Sequence, residues 1–301
     1  MLIFSGSSNK NLAKKIAGRL GVSLSQIEIH TFPDKENRVR VIDKVLDKDV
    51  IVVQSTGVSP NRYYMELFFI LDSLKRSGAR SVTLVIPYLG YQRQDHIFRS
   101  GEAVSLEVIV NLIKTLKVDS VISFDLHSLR IEEFFKAKRI KLYHLSALRV
   151  FAKEIERMEG NDLVLVSPDM GGIRRIQLLS ELLGNKIPCI SIDKDRNLNT
   201  GEVTSTKING EVKKRAIIVD DVISTGKTLI SAAELLKKNG VEEIYVMATH
   251  GIFAGDAPED LENSIIKKVI VSDTIEIRNN RRFNKLQMVS VSPLITKTLK
   301  K

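Results

Sequence analysis

A single cysteine, Cys189, stands in 301 residues. With one thiol there is no intrachain disulfide, no cysteine-based metal cluster and no disulfide scaffold of a small secreted domain, so a reducing compartment is expected. Long apolar runs are missing too: none approaches the roughly 18 residues of a membrane span. The opening MLIFSGSSNKNLAKK turns polar after four residues, too soon for the apolar region of a signal peptide. A soluble, cytoplasmic protein without a membrane partner is expected. The 46 basic residues outnumber the 36 acidic ones, for a net charge of +10. That surplus suits nucleic acid, an anionic surface or phosphorylated small molecules, and charge alone does not choose among them. The basic residues are scattered, however, with no basic stripe carrying interleaved aromatics, so no nucleic-acid partner is expected.

The hydrophobic fraction of 43% in a chain of this length is enough for two domains, each with its own core. Short apolar runs of strand length, at residues 2–4, 50–53, 82–86, 121–124, 163–166, 216–219 and 244–247, alternate with segments of helical spacing. This alternation predicts parallel sheets covered by helices. Helical segments at 65–76 and 228–238 end near Gly78 and Gly240, positions suited to left-handed caps and 162 residues apart. Three further matches follow in the same order. LIFSGSSNKNLAKKIAGRLG pairs with LVLVSPDMGGIRRIQLLSELLG, DVIVVQSTG with RAIIVDDVISTG, and LKRSGARSVTLVIPYLGY with LKKNGVEEIYVMATHGIF. A period near 163 is far longer than the roughly 20–50 residues of solenoid repeats and implies two copies of a whole domain.

In such sheets ligands bind beyond the carboxyl ends of strands. After the strand at 216–219 come Asp220 and Asp221, then Ser224, Thr225, Gly226, Lys227 and Thr228 leading into a helix. The GKT ending invites a nucleotide P-loop, but that pattern needs glycine at 221, where Asp221 stands. Two carboxylates accept hydrogen bonds from neutral hydroxyls, and the helix start offers amides and a positive dipole to one phosphate. Vicinal hydroxyls beside a monophosphate describe a sugar phosphate such as ribose 5-phosphate; an acidic helix cap is the plainer alternative. After 163–166, SPDMGG joins Asp169 to a glycine pair, which suits a diphosphate on backbone amides with a cation on the carboxylate. FDLHS sets Asp125 and His127 past another strand, and a lone histidine there is open to either a packing or a functional role. FPDKENRVRV carries Phe32, Asp34, Lys35 and Glu36, either an acidic hairpin turn or a stacking face with acceptors for a purine. PYLGYQRQD carries Arg93, Gln94 and Asp95, where the arginine fork can hold phosphate oxygens. SIDKDRNLNTGEV puts Lys194 and Arg196 two residues apart in a polar loop; if extended, both cations point the same way toward charge on a transferring phosphoryl group.

DDVISTGKT resembles the ribose-phosphate loop of the phosphoribosyltransferase fold, and with the duplicated length the chain resembles the ribose-phosphate pyrophosphokinases along almost its whole extent. The resemblance implies an α/β fold of two duplicated phosphoribosyltransferase-like domains, each a parallel sheet with helices on both faces. Residues 1–143 would carry the ATP-binding elements and 144–301 the ribose 5-phosphate and diphosphate loops. It implies transfer of the β,γ-diphosphate of ATP to ribose 5-phosphate, giving phosphoribosyl pyrophosphate and AMP, with magnesium as cofactor. It also implies a homo-oligomer whose adenine loop reaches the ATP of a neighbouring subunit. By residue, it places Phe32, Asp34, Lys35, Glu36, Arg93, Gln94 and Asp95 at ATP, and His127 and Asp169 at the metal. Lys194 and Arg196 become catalytic, and Arg196 joins Asp220, Asp221 and residues 224–228 at ribose 5-phosphate. Three positions depart from the family pattern: Glu133 replaces a glycine before Phe134 and Phe135, Ser224 an aspartate, and Lys227 a small residue. A base-transferring phosphoribosyltransferase is the nearest rival, and the duplication and adenine loop argue against it. The tail from about Asn279 is basic and apolar without a clear period, and one place for it is against the first domain.

Overall fold

The computed structural model describes residues 1–158, 162–196 and 203–300, with side chains described outside 194–206. Its contacts divide the chain into two compact units, Met1–Leu145 with Thr274–Glu276 and Ser290–Lys301, and Ser146–Asp273 with Ile277–Val289.

The first unit runs β1 (Leu2–Ser5), α1 (Lys10–Arg19), β2 (Ile27–Thr31), β3 (Asn37–Val41), β4 (Asp49–Val53), α2 (Pro60–Arg76), β5 (Ser81–Val85), α3 (Ser105–Thr115), β6 (Ser120–Phe124), α4 (Arg130–Ala137) and β7 (Lys141–Leu145). Five strands form a wholly parallel sheet in the order β1-β4-β5-β6-β7, while β2 and β3 make a separate antiparallel hairpin. Strand β4, DVIVV, is a continuous apolar run because helices cover both faces of a central parallel strand. Pro60 opens α2, where its missing N–H is no loss, and Gly78 ends it at φ +83°, a conformation open to glycine without strain.

The second unit runs α5 (Leu148–Glu156), β8 (Leu163–Ser167), α6 (Ile173–Leu182), β9 (Cys189–Arg196), β10 (Val203–Asn209), β11 (Arg215–Ile223), α7 (Lys227–Lys238), β12 (Glu243–Gly251), α8 (Ala257–Asn263), β13 (Lys268–Ser272) and β14 (Leu286–Val289). Its seven strands follow the order β10-β9-β8-β11-β12-β13-β14, all parallel except β10, which pairs antiparallel with β9. The chain then adds α9 (Ser292–Leu299) to the first unit, where Arg19 of α1 donates a hydrogen bond to Ser292.

Every strand expected from the apolar runs is present, and the duplication shows in the backbone. Gly21 and Gly184 have φ of +73° and +74°, and Gly78 and Gly240 have +83° and +91°. The copies differ at their hairpins: the second, β9 and β10, joins its sheet, whereas β2 and β3 stay off theirs. Only the second unit therefore reverses its strand order, between β8 and β11, and such a switch point opens a crevice at the carboxyl ends of the two strands. Each unit has its own buried apolar core. No helix among the described residues is long and apolar enough to cross a membrane.

Candidate active site

The switch point of the second unit brings together most of the residues singled out from its sequence. Strand β8 ends at Ser167, and Asp169 caps the turn behind it by accepting the Gly172 N–H at 3.1 Å. A Cβ on Gly172 would stand 2.5 Å from the Ser167 hydroxyl, so the tight turn depends on glycine. Next to it, β11 delivers Asp220 and Asp221, and Gly226, at φ +77°, turns the chain into α7. The first-turn amides of that helix, around Lys227 and Thr228, have no intrahelical acceptor, and the helix dipole adds positive potential there. Thr225 and Lys227 are exposed, and Ser224 and Thr228 are half-buried at the same turn.

One residue here has no counterpart among the sequence candidates. Arg175, on the first turn of α6, donates to Asp220 at 3.3 Å and lies 3.6 Å from Asp221, bridging both carboxylates. Burial, and then the neighbouring Asp221, push the Asp220 carboxyl well above the usual carboxylate range, while Arg175 pulls the other way. Two adjacent, largely desolvated acids that share a cation form a site that gains from hydroxyl donors. A signal for Arg175 was present in the sequence: an arginine in the first turn of a helix opposes the dipole unless an anion compensates it.

In the first unit, the ends of β5 and β6 bring residues 92–96 against 125–128. Gln92, buried, accepts the His127 N–H at 3.1 Å. Asp95 is 4% exposed and binds His96 Nδ1 at 2.6 Å through one oxygen and the Ser128 hydroxyl through the other. Burial works against its ionisation, but the hydrogen bonds from Ser128 and His96 outweigh it and hold the carboxyl below its usual range. Both oxygens of Asp95 are thus engaged within the protein, where they tie two loops together. Arg93 and Gln94 are exposed beside it; Gln94 also accepts from the Ser105 hydroxyl at the start of α3. His127 is exposed at the loop surface.

The residues 32–36 form the tip of the β2–β3 hairpin. The Phe32 N–H donates to the Glu36 carbonyl, the Glu36 N–H to Asp34, and Lys35 takes φ +76°. Phe32 is 37% exposed, with the His30 ring edge-on at 4.8 Å and the Arg38 guanidinium 5.8 Å from its centroid. Lys194 and Arg196, expected in a polar loop, lie instead on β9, opposite Ser205 and Val203 of β10; their side chains lie outside the described residues. Residues 197–202 of the expected loop also lie outside them. Among the described residues no group of three or more His, Cys, Asp or Glu side chains forms a cage for a metal ion.

The family model described as the N-terminal domain of ribose phosphate pyrophosphokinase matches residues 1–116, and the phosphoribosyl synthetase-associated domain matches 193–301. A ribose-phosphate pyrophosphokinase of Fusobacterium nucleatum is 37% identical over 301 residues, 99% of this chain and 93% of the relative. This chain belongs to the ribose-phosphate pyrophosphokinase family. A family member from Caldanaerobacter subterraneus is 39% identical, again over 99% of this chain and 93% of the relative. Among solved structures, phosphoribosylpyrophosphate synthetase from Mycobacterium smegmatis superposes with a TM-score of 0.91 at 31% identity, covering 99% of this chain and 97% of that one.

Proposed function

We infer that this chain transfers the β,γ-diphosphate of ATP to the anomeric hydroxyl of ribose 5-phosphate, releasing AMP and phosphoribosyl pyrophosphate, in a cytoplasmic setting. The observation that carries the reading is the pair Asp220 and Asp221 beside a glycine-cornered helix start at the switch point of the second unit. The carboxylates accept the two ring hydroxyls, and the amides and hydroxyls of 224–228, with Lys227, hold the 5-phosphate. Binding replaces Arg175 as the partner of the carboxylates, since a sugar hydroxyl and the guanidinium compete for the same oxygens.

At the other substrate, Phe32 stacks on adenine, Asp34 and Glu36 accept its amine, Lys35, Arg93 and Gln94 meet the phosphates, and Asp95 completes the ATP site. Magnesium fits the donors present. It keeps several waters and usually takes one or two carboxylates plus substrate phosphates, so Asp169 suffices and no protein cage is needed. His127 would join Asp169 in holding the ion. When bound, the ion neutralises phosphate charge. The sugar oxygen attacks the β-phosphorus in line, and the chain contributes positioning and charge neutralisation, with Lys194 and Arg196 assigned to the transferring group and Arg196 also to ribose 5-phosphate. The adenine loop is assigned to the ATP of a neighbouring copy in a homo-oligomer.

Incubation of purified protein with ATP, magnesium and ribose 5-phosphate is expected to give AMP and phosphoribosyl pyrophosphate in equal amounts. ADP in place of AMP would mark a monophosphoryl kinase and overturn the reading. His127→Ala is expected to raise the ATP and magnesium concentrations needed for half-maximal rate by about tenfold. Unchanged titrations would remove His127 from the site.

A further inference from the structure

The turn after β6 rests on backbone that an L residue seldom adopts. Asp125 has φ +33°, outside the favoured wells, and such a conformation persists only where the surroundings fix it from several sides. They do so here on consecutive residues. The Asp125 N–H donates to the Leu145 carbonyl at 2.9 Å, the Leu126 N–H to His144 Nε2 at 3.0 Å, and the His127 N–H to Gln92 at 3.1 Å. The Ser128 hydroxyl closes the series on Asp95.

Three of these four anchors are accounted for. The Leu145 carbonyl extends the β6–β7 ladder, and Gln92 and Asp95 belong to the loop that carries Arg93. His144 is of another kind. It lies on β7 opposite Ser123, and no motif contains it. Its ring state follows from its partners. Nε2 accepts an amide proton and so carries none, which leaves the proton on Nδ1, 2.7 Å from Glu132 Oε1 on α4. A carboxylate that fixes the tautomer and orientation of a histidine, whose other nitrogen then holds a functional element, is the arrangement that orients ligands around metal and catalytic centres.

We propose that His144, oriented by Glu132, is a positioning residue for the nucleotide-phosphate end of the site, holding the Leu126 amide so that His127 is presented in the geometry seen here. The inference rests on the reading of His127 given above. Packing is a poor account of the same contacts. The His144 side chain is 26% exposed, and Glu132 is 47% exposed, so the pair contributes little apolar burial. Leu126, by contrast, is 7% exposed, and its amide is poorly placed to exchange His144 for water.

The test uses the full chain and three variants, His144→Ala, His144→Gln and Glu132→Ala. Glutamine sets an amide oxygen as many bonds from Cα as Nε2 and so retains the acceptor. Hydrogen–deuterium exchange with fragment resolution over residues 124–128, without ATP or magnesium, reads the anchor directly. Exchange at Leu126 is expected to speed roughly tenfold in His144→Ala, to stay slow in His144→Gln, and to rise less in Glu132→Ala, with the strands of the second unit unaffected. In the complete assay, His144→Ala is expected to raise KM for MgATP about fivefold with KM for ribose 5-phosphate unchanged, and His144→Gln to restore it. Unchanged exchange at Leu126 in His144→Ala would overturn the proposal. So would faster exchange with an unaltered KM for MgATP, or equal impairment of the glutamine variant. Should His127→Ala leave nucleotide binding intact, the reading of His127 fails, and the exchange data still decide whether His144 anchors the turn.

Discussion

At the scale of single residues, the site is a matter of carboxylates held in unlike states. Burial and Asp221 raise the Asp220 carboxyl, so its protonated form is favoured in the folded chain. The stability this contributes is fully present below the unfolded value near 4 and is lost as pH rises through the raised folded value. Asp220→Asn removes the buried charge and is expected to raise Tm by about 2 °C or more at pH 8, with little change at pH 4, while ribose 5-phosphate binding falls at least about tenfold. Thermal melts at the two pH values and calorimetric titration check both; a lower Tm at pH 8 would contradict the electrostatic account. Asp95 carries the opposite sign, because hydrogen bonds lower its carboxyl against burial, so its contribution is present above the unfolded value and is lost as pH falls through the folded one. The carboxylates were legible in the sequence because acid pairs directly after an apolar run point to a strand-end site. Gln92 and His144 were not, since each acts across the fold on a backbone amide far away in sequence, at separations of 35 and 18 residues, and Arg175 left only the signal of a cation in the first turn of a helix, its partner Asp220 lying 45 residues away.

Elements explain which parts of the fold could be read. Strands buried on both faces, such as β4 and β11, announce themselves as apolar runs. Strand β10, VTSTKIN, sits at the sheet edge and is polar, so it gives no such signal, and with it went the recognition that Lys194 and Arg196 lie on a paired strand. An antiparallel pair holds its backbone by ladder hydrogen bonds, so the loss of one side chain on β9 leaves the strand in place. Lys194→Ala is accordingly expected to lower turnover about 10²-fold or more with ribose 5-phosphate binding largely retained, the pattern of a lost transition-state charge partner. Near-normal steady-state turnover would remove Lys194 from the mechanism. Gly172→Ala acts on another element, the turn between β8 and α6. With a Cβ 2.5 Å from the Ser167 hydroxyl, it is expected to destabilise the second unit by about 1–3 kcal/mol, measured by urea denaturation.

At the scale of the whole molecule, one domain plan occurs twice and has diverged at its hairpins. The hairpin that completes the sheet in the second unit stands apart from the sheet in the first, so a switch-point crevice exists once and the other hairpin is free to present Phe32. Duplication was legible from matched segments and paired glycines; the divergence was not, because hairpins that join a sheet and hairpins that leave it have similar local patterns. If the adenine loop serves a neighbouring copy, Phe32→Ala and Lys194→Ala, each nearly inactive, are expected to recover about a quarter of normal activity when refolded together in equal amounts, since one site in four then draws an intact group from each parent. No recovery on mixing would confine each site to one chain.

The reaction turns on attack of the anomeric oxygen of ribose 5-phosphate on the β-phosphorus of ATP. Ribose 5-phosphate labelled with ¹⁸O at that oxygen, followed by ³¹P NMR with MgATP and this chain, reads product and bond together. AMP is expected to appear in step with phosphoribosyl pyrophosphate, with an isotope shift on the phosphorus bonded to the sugar carbon's oxygen. ADP as the nucleotide product, or an unlabelled bridging oxygen, would rule out attack of that oxygen on the β-phosphorus.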